Sequence, residues 1–482
     1  MFDKIKNLSK DTLIYGTNTI IGRFLGFFLV PFYTNKFLPE EYGIITIIYS
    51  YIAILNVFFS IGLESGYMKF ASTREVGTEK QNFSTPYIIV LFNSFLLSCL
   101  IFFFSSELTS VFQIDSSYGY LIKYSAVILF FDTIVLIPFA LLRLNNKAKS
   151  FAGIKITNIV LNVLLNIILI SFFNLGIEAV FISNLIASLV TFILLLPLLK
   201  KNFSFSINKD LLKELLKFSL PWIPAGIAAN LVQIIDRPIL KYLTDDKIVG
   251  IYTANYKLGI FMMLVVSMFE FAWRPFFLNN ASEPDAKKIF SKVLTIFVLF
   301  CSVVFLIISF FIEDIVKMNL PFNYHLIGKA YWEGLEIVPV ILFAYILYGI
   351  YINFMAGIYI EKKTKYLPLI TGAGAIANIV SNFILIPEYS YMGAAISTLI
   401  SYAVMMTGIF LVSQKYYKVN YEYKKVGLIF LSLLTVSSLY FYLENNFQIY
   451  WLYKFGFLFL FIIIILVFKV VNLKSLKILT KN

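Results

Sequence analysis

The chain has 482 residues, of which 60% are apolar and only 14% charged, and its mean hydropathy is +0.83. A soluble domain carries about a quarter of its residues charged, so this composition excludes a soluble fold and makes the bilayer the main solvent. The 40 Lys and Arg against 27 Asp and Glu leave a formal charge of +13, and its distribution along the chain decides whether it serves nucleic acid or membrane topology.

Apolar runs of about 20 residues, enough to cross the hydrocarbon as a helix, recur from end to end. They are expected near 13–33, 43–63, 86–105, 120–142, 153–173, 177–199 and 216–240, then near 248–272, 290–312, 336–359, 366–386, 391–412, 426–443 and 450–471. Such runs are helices, because lipid leaves free backbone groups unsatisfied and the runs are too long for barrel strands. No small-residue cleavage site follows the first run, so a retained helix is expected there. Pro221 and Pro224 open the seventh run and favour a bend in it.

Cys99 and Cys301 lie inside separate apolar runs with no CxxC or metal-ligand spacing. Neither a disulfide framework nor a metal site is expected. The single histidine, His325, falls in a polar stretch and is expected to be an ordinary loop residue, so no histidine-based catalyst or cofactor site can be assembled.

Positive residues are retained on the cytoplasmic side, and alternate loops here differ sharply. Thirty of the 40 basic residues fall in one set, from Lys4, Lys6 and Lys10 through Lys147, Lys149 and Lys155 to Lys474, Lys477 and Lys481. The opposite set holds only Lys36, Lys241, Lys247, Lys317 and Lys329, with acids such as Glu40, Glu41, Asp245, Asp246 and Glu444. Both termini are therefore expected in the cytoplasm, and the asymmetry would collapse if any one span were missed or invented. Trp222 and Trp273 fall at expected inner ends, and Trp332 and Trp451 at outer ends, where indole rings favour the interface. The positive charge is thus accounted for by topology and anionic lipid, not by nucleic acid.

The fifth and eleventh runs repeat each other. Lys147-Ala148-Lys149, Ile154, Asn162, Asn166 and Ile168-Leu169-Ile170 match Lys363-Thr364-Lys365, Ile370, Asn378, Asn382 and Ile384-Leu385-Ile386, every pair 216 residues apart. A gapless match of that length makes spans 1–6 equivalent to spans 7–12. Six is even, so the halves share one orientation, as in parallel transporter repeats. The expected fold is an all-α membrane protein of about fourteen transmembrane helices, with a six-helix lobe over 1–200, a second over 201–415 and two additional helices over 416–482.

A charge at the bilayer centre costs about 2.5–3.5 kcal/mol on insertion scales, so charges retained there face a cavity or a partner. Arg23 lies mid-span in the first helix, Asp132 mid-span in the fourth, and Lys257 in the outer half of the eighth. Asp236, Arg237 and Lys123 sit toward outer ends, Lys123 as a snorkelling residue. Both repeats supply cations. Arg23 lies between Gly22 and Gly26, which leaves room for a bulky ligand; pairing with Asp132 as helix glue is the structural alternative.

Several stretches carry a family resemblance: Gly22-Arg23-Phe24-Leu25-Gly26, Phe37-Leu38-Pro39-Glu40-Glu41-Tyr42-Gly43, Gly62-Leu63-Glu64-Ser65, Asp236-Arg237-Pro238-Ile239-Leu240, Val249-Gly250-Ile251-Tyr252, Trp273-Arg274-Pro275-Phe276 and Met392-Gly393-Ala394-Ala395-Ile396-Ser397. In order and spacing the chain resembles the multidrug, oligosaccharidyl-lipid and polysaccharide exporter superfamily, and within it the polysaccharide transporter branch of O-antigen-type flippases. The resemblance implies a non-enzymatic flippase of the bacterial inner membrane. It would move a polyprenyl-diphosphate-linked oligosaccharide between leaflets by alternating access, for surface polysaccharide or lipopolysaccharide synthesis. Membrane lipid, a polysaccharide polymerase and chain-length proteins are the implied partners. Guanidinium matches a diphosphate with paired donors and ammonium supplies a point charge, which makes Arg23, Lys257 and Arg237 the candidate substrate-binding residues. Asp132 and Asp236 are the candidate ion-coupling or ion-pair sites. A lipid II flippase and then a drug exporter are the alternatives, although drug exporters usually stop at twelve spans. An acyltransferase or a polymerase is disfavoured because no buried histidine and no large basic outer loop is present.

Overall fold

The computed structural model describes residues 27–74, 76–447 and 450–470, and over them the chain is all-α. Ten helices among the described residues are long and apolar enough to cross a membrane. The long helix Thr364–Tyr416, 53 residues with its 3₁₀ entry, holds both the eleventh and twelfth expected spans and changes direction at Ser390, where φ is 48° and ψ −130°. Trp451–Val467 supplies the fourteenth as a shorter apolar helix. Most of the first expected span lies outside the described residues; residues 27–36 are its helical end.

The seventh span departs most from a simple rod. It is built from Lys209–Ser219, Trp222–Ile234 and Asp236–Leu243. The first break falls at Leu220-Pro221, where proline removes an amide donor. The second precedes Pro238, whose ring excludes the carbonyl of Ile234, four residues earlier. Lys209–Ser219 is an amphipathic helix capped by Asn208, whose Oδ1 accepts from the Leu211 amide at 3.0 Å. Leu211, Leu215 and Ser219 are buried while Lys213 and Lys217 face outward, the 3.6-residue period of an interfacial helix.

Two compact units are present. One comprises residues 1–254 with 382–391, the other 255–381 with 392–482. In the first, Leu63, Tyr67, Phe70, Phe83, Tyr87, Ile137, Leu199, Leu211 and Leu215 form one buried cluster, which seats the amphipathic helix against four spans. Thr78 and Gln81 form a reciprocal cap on Glu79–Phe103, with bonds of 3.3 and 3.0 Å. The Tyr33 hydroxyl donates to Asn166 Oδ1 at 2.7 Å, and Asn166 donates back along its own helix to Asn162. The Asn pair read in the repeat therefore serves packing in this unit.

In the second unit, Ala286–Lys317 is the central element. Val338–Ile360, Tyr423–Asn446 and Trp451–Val467 all pack on it, so the last two helices are tied to this unit. Gly349 lies where a Cβ would fall 2.3 Å from the Phe297 ring, and the Tyr440 ring sits 4.0 Å from Phe310. Trp273, expected as an interfacial anchor, is instead 3% exposed and donates from Nε1 to the Asn353 carbonyl at 3.3 Å. A tertiary hydrogen bond took the place of the headgroup region as partner for its N–H. His325 does lie in the loop after Lys317, but it is buried there, edge-on to Trp332.

Candidate functional site

The ionisable groups inside the apolar spans fall into separate constellations. Asp236 and Arg237 open the short helix that follows the break at Ile235, and both are held inside. Their side chains are 3% and 11% exposed, with Arg237 Nη1 2.8 Å from Asp236 Oδ1. Arg237 Nη1 also donates to the Gln233 carbonyl at 2.6 Å. The Tyr252 hydroxyl donates to Asp236 Oδ2 at 2.5 Å, and the guanidinium lies 5.8 Å from the Tyr252 ring. Residues about 100° apart on a regular helix thus close an ion pair, because a helix start leaves its first amides free to fold back on the carboxylate. Each charge satisfies the other, as burial in low dielectric requires. Lys241 and Asp246 form a further pair beside it at 2.6 Å.

Asp132 takes a different partner. Ser188 donates to its Oδ1 at 2.6 Å. Lys155 lies 4.4 Å from the Phe139 ring. In the same unit Asn184 donates to the Tyr49 hydroxyl at 2.9 Å. Lys155, counted among the cytoplasmic basic residues and inside the expected span 153–173, lies in the second turn of the Ala148–Ser171 helix. The sequence cue was a lysine one turn inside an apolar run.

Lys257 occupies the 3₁₀ turn Lys257–Gly259 and is half-buried in the second unit. A Cβ on Gly259 would lie 2.6 Å from Ile341 and 3.2 Å from Tyr345, so the missing side chain allows the turn to press against its neighbour. Beside it Tyr256, Tyr345, Tyr402, Tyr348 and Tyr351 form a continuous set of rings at 5.0–6.4 Å. The sequence offered no assignment for these tyrosines. Lys123 is exposed and lies over the Phe102 ring at 5.5 Å. Arg23 lies outside the described residues.

One buried cation escaped sequence reasoning altogether. Lys454 is 4% exposed; its Nζ donates to the Phe310 carbonyl at 2.8 Å and to Asp314 Oδ2 at 2.7 Å, and it lies 3.9 Å from Glu444, which binds the Tyr440 hydroxyl. A lone lysine in the last apolar run was the available signal. In the first unit, Arg143 pairs with Glu64 of the Gly62-Leu63-Glu64-Ser65 stretch.

Comparison with known proteins gives these constellations a context. The model of a family described as "Polysaccharide biosynthesis protein" matches residues 37–324. No curated protein is a recognisable sequence relative of the chain. Among solved structures, a lipid II flippase MurJ in an inward closed conformation is 17% identical and superposes with a TM-score of 0.72, covering 95% of this chain and 98% of its own. An inward-facing multidrug resistance MATE family transporter of the MOP superfamily is 14% identical, with a TM-score of 0.65, covering 82% of this chain and 94% of its own. At such identities the likeness is one of fold. That fold is the one the sequence resemblance implies.

Proposed function

The chain belongs to the polysaccharide biosynthesis protein family, whose model matches residues 37–324, and from that premise we propose that it flips a polyprenyl-diphosphate-linked oligosaccharide repeat unit from the cytoplasmic to the outer leaflet for surface polysaccharide synthesis. It is a multi-pass membrane protein with a transporter fold. The finer reading places it in the bacterial inner membrane with both termini in the cytoplasm. It works there by alternating access between repeated lobes at 1–200 and 201–415, without catalysing a reaction. The family match carries the reading. The ionisable groups kept within apolar spans support it, since a polyanionic cargo gives costly cations a reason to stay charged.

In this reading Arg23 and Lys257 hold the diphosphate. Arg237 contributes through Asp236, which sets its orientation and moderates its charge. Asp132 and Asp236 are the carboxylates available for ion coupling. A polysaccharide polymerase and chain-length proteins would take the flipped product. The experiment is complementation: the chain should restore surface polysaccharide to a strain lacking its O-antigen-type flippase. Rescue only of a strain depleted of its lipid II flippase would assign the other lipid-linked substrate and overturn the proposal.

A further inference from the structure

At one end of the second unit's helices, five cations lie over tyrosine rings. Arg274 is 4.7 Å from the Tyr359 centroid and donates to its hydroxyl. Lys287 is 4.8 Å from Tyr417, Lys365 is 5.6 Å from Tyr366, and Lys363 and Lys415 approach the same Tyr416 ring at 4.9 and 5.7 Å. The Tyr366 and Tyr416 hydroxyls are 2.8 Å apart. Tyr359 connects to Tyr417 through Phe277, Trp273 and Phe290, with ring spacings of 5.3–6.3 Å. Three chain segments are therefore joined, through the buried rings of Trp273, Phe277 and Phe290, into one packed end of the unit.

Its charge is unbalanced. Residues 274–288, 359–366 and 415–418 carry eight Lys and Arg against three Asp and Glu. Among the described residues none of the five ring-bound cations makes an ion pair, whereas Asp285 pairs with Lys288 at 3.0 Å and nearby Glu422 with Lys425 at 2.7 Å. A ring face orients a cation without neutralising it, so two lysines on the one Tyr416 ring repel each other until an anion binds beside them. Tyrosines favour the headgroup depth of a bilayer. The anions at that depth are lipid phosphates, and each lysine near an anionic leaflet strengthens attachment.

We propose that this face is a binding site for anionic phospholipid, with the headgroup phosphate lodged beside Lys363 and Lys415 at Tyr416. Arg274 and Lys287 extend the site along the same leaflet. The site uses none of the proposed diphosphate residues Arg23, Lys257 and Arg237, and it gives the Trp273-Arg274-Pro275-Phe276 stretch a role. It also fixes the second unit to one leaflet through lipid rather than through protein.

The full-length protein is reconstituted in phosphatidylcholine nanodiscs with and without phosphatidylglycerol, and retained lipid is counted by native mass spectrometry after detergent extraction. Wild type and the control K200Q/K201Q should retain phosphatidylglycerol, whereas K363Q/K415Q should bind it about thirtyfold more weakly. K363R/K415R, which keeps both charges, should restore it. Equal retention by K363Q/K415Q and wild type would overturn the site. Displacement of the lipid by soluble glycerol phosphate at similar concentration would also overturn it, because that outcome describes a free-phosphate site rather than a lipid one.

Discussion

Gly43 and Gly250 pack against each other's helices reciprocally. A Cβ on Gly43 would fall 1.9 Å from the Asp246 carbonyl oxygen, and a Cβ on Gly250 1.9 Å from the Pro39 carbonyl oxygen. Pro39 stands four residues before Gly43, and Asp246 four before Gly250, so each glycine faces the same position on the other helix. Two helix starts related by a local two-fold axis produce this pattern. Small residues at such crossings let backbones approach closely.

Because carbonyl oxygens of packed helices cannot give way, G43A and G250A should each destabilise the protein by about 1–3 kcal/mol or more, the range for overpacking. Gly153, with nothing within 4 Å of its would-be Cβ, is the control. Thermal unfolding in detergent measures this, and a G250A protein as stable as G153A would show that the crossing is looser than described.

Topology is tested at two lysines. With both termini in the cytoplasm, as proposed from the 30 to 5 distribution of basic residues, Lys329→Cys should react with an impermeant thiol reagent applied outside intact cells. Lys363→Cys should react only after permeabilisation. Labelling of position 363 alone would invert the topology.

Arg23 and Lys257 are expected to matter for export rather than for insertion. Losing one charge-assisted contact to a phosphate costs about 1.5–3 kcal/mol, so Arg23→Ala and Lys257→Ala should cut export roughly tenfold or more. Arg23→Lys should recover part of it, since the point charge returns without the paired donors. Surface polysaccharide in a flippase-null strain, normalised to membrane protein level, is the readout. Full export by Arg23→Ala would return that residue to a structural role.

Lys454 should be needed to hold the last helix. Lys454→Met removes the cation between Asp314 and Glu444, and the side chains of these two acids are 54% and 28% exposed. The loss should therefore be about 2 kcal/mol, below the 3–5 kcal/mol of a fully buried pair. Asp314→Asn in the same background should add little, because the two sites share one interaction. Additive melting losses across the two variants would show that they act independently.

Much of this protein was determined by its sequence read alone. The bilayer acts on each apolar run separately, so the spans from Pro39–Thr73 onward, the break at Pro221 and the uneven loop charges follow from local composition. The glycine motifs Phe37-Leu38-Pro39-Glu40-Glu41-Tyr42-Gly43 and Val249-Gly250-Ile251-Tyr252 were visible as stretches, but not as surfaces that meet. Only the tertiary structure decided partners. It folded Arg237 back on Asp236 with the Tyr252 hydroxyl on the same carboxylate, brought Ser188 to Asp132, buried Lys454 against Asp314 and drew Trp273 inward to Asn353. The reason is physical: hydropathy is a property of one segment and its solvent, whereas a buried charge or N–H in low dielectric takes whichever group packing brings within reach, and that group lies anywhere from the adjacent residue to well over a hundred positions along the chain.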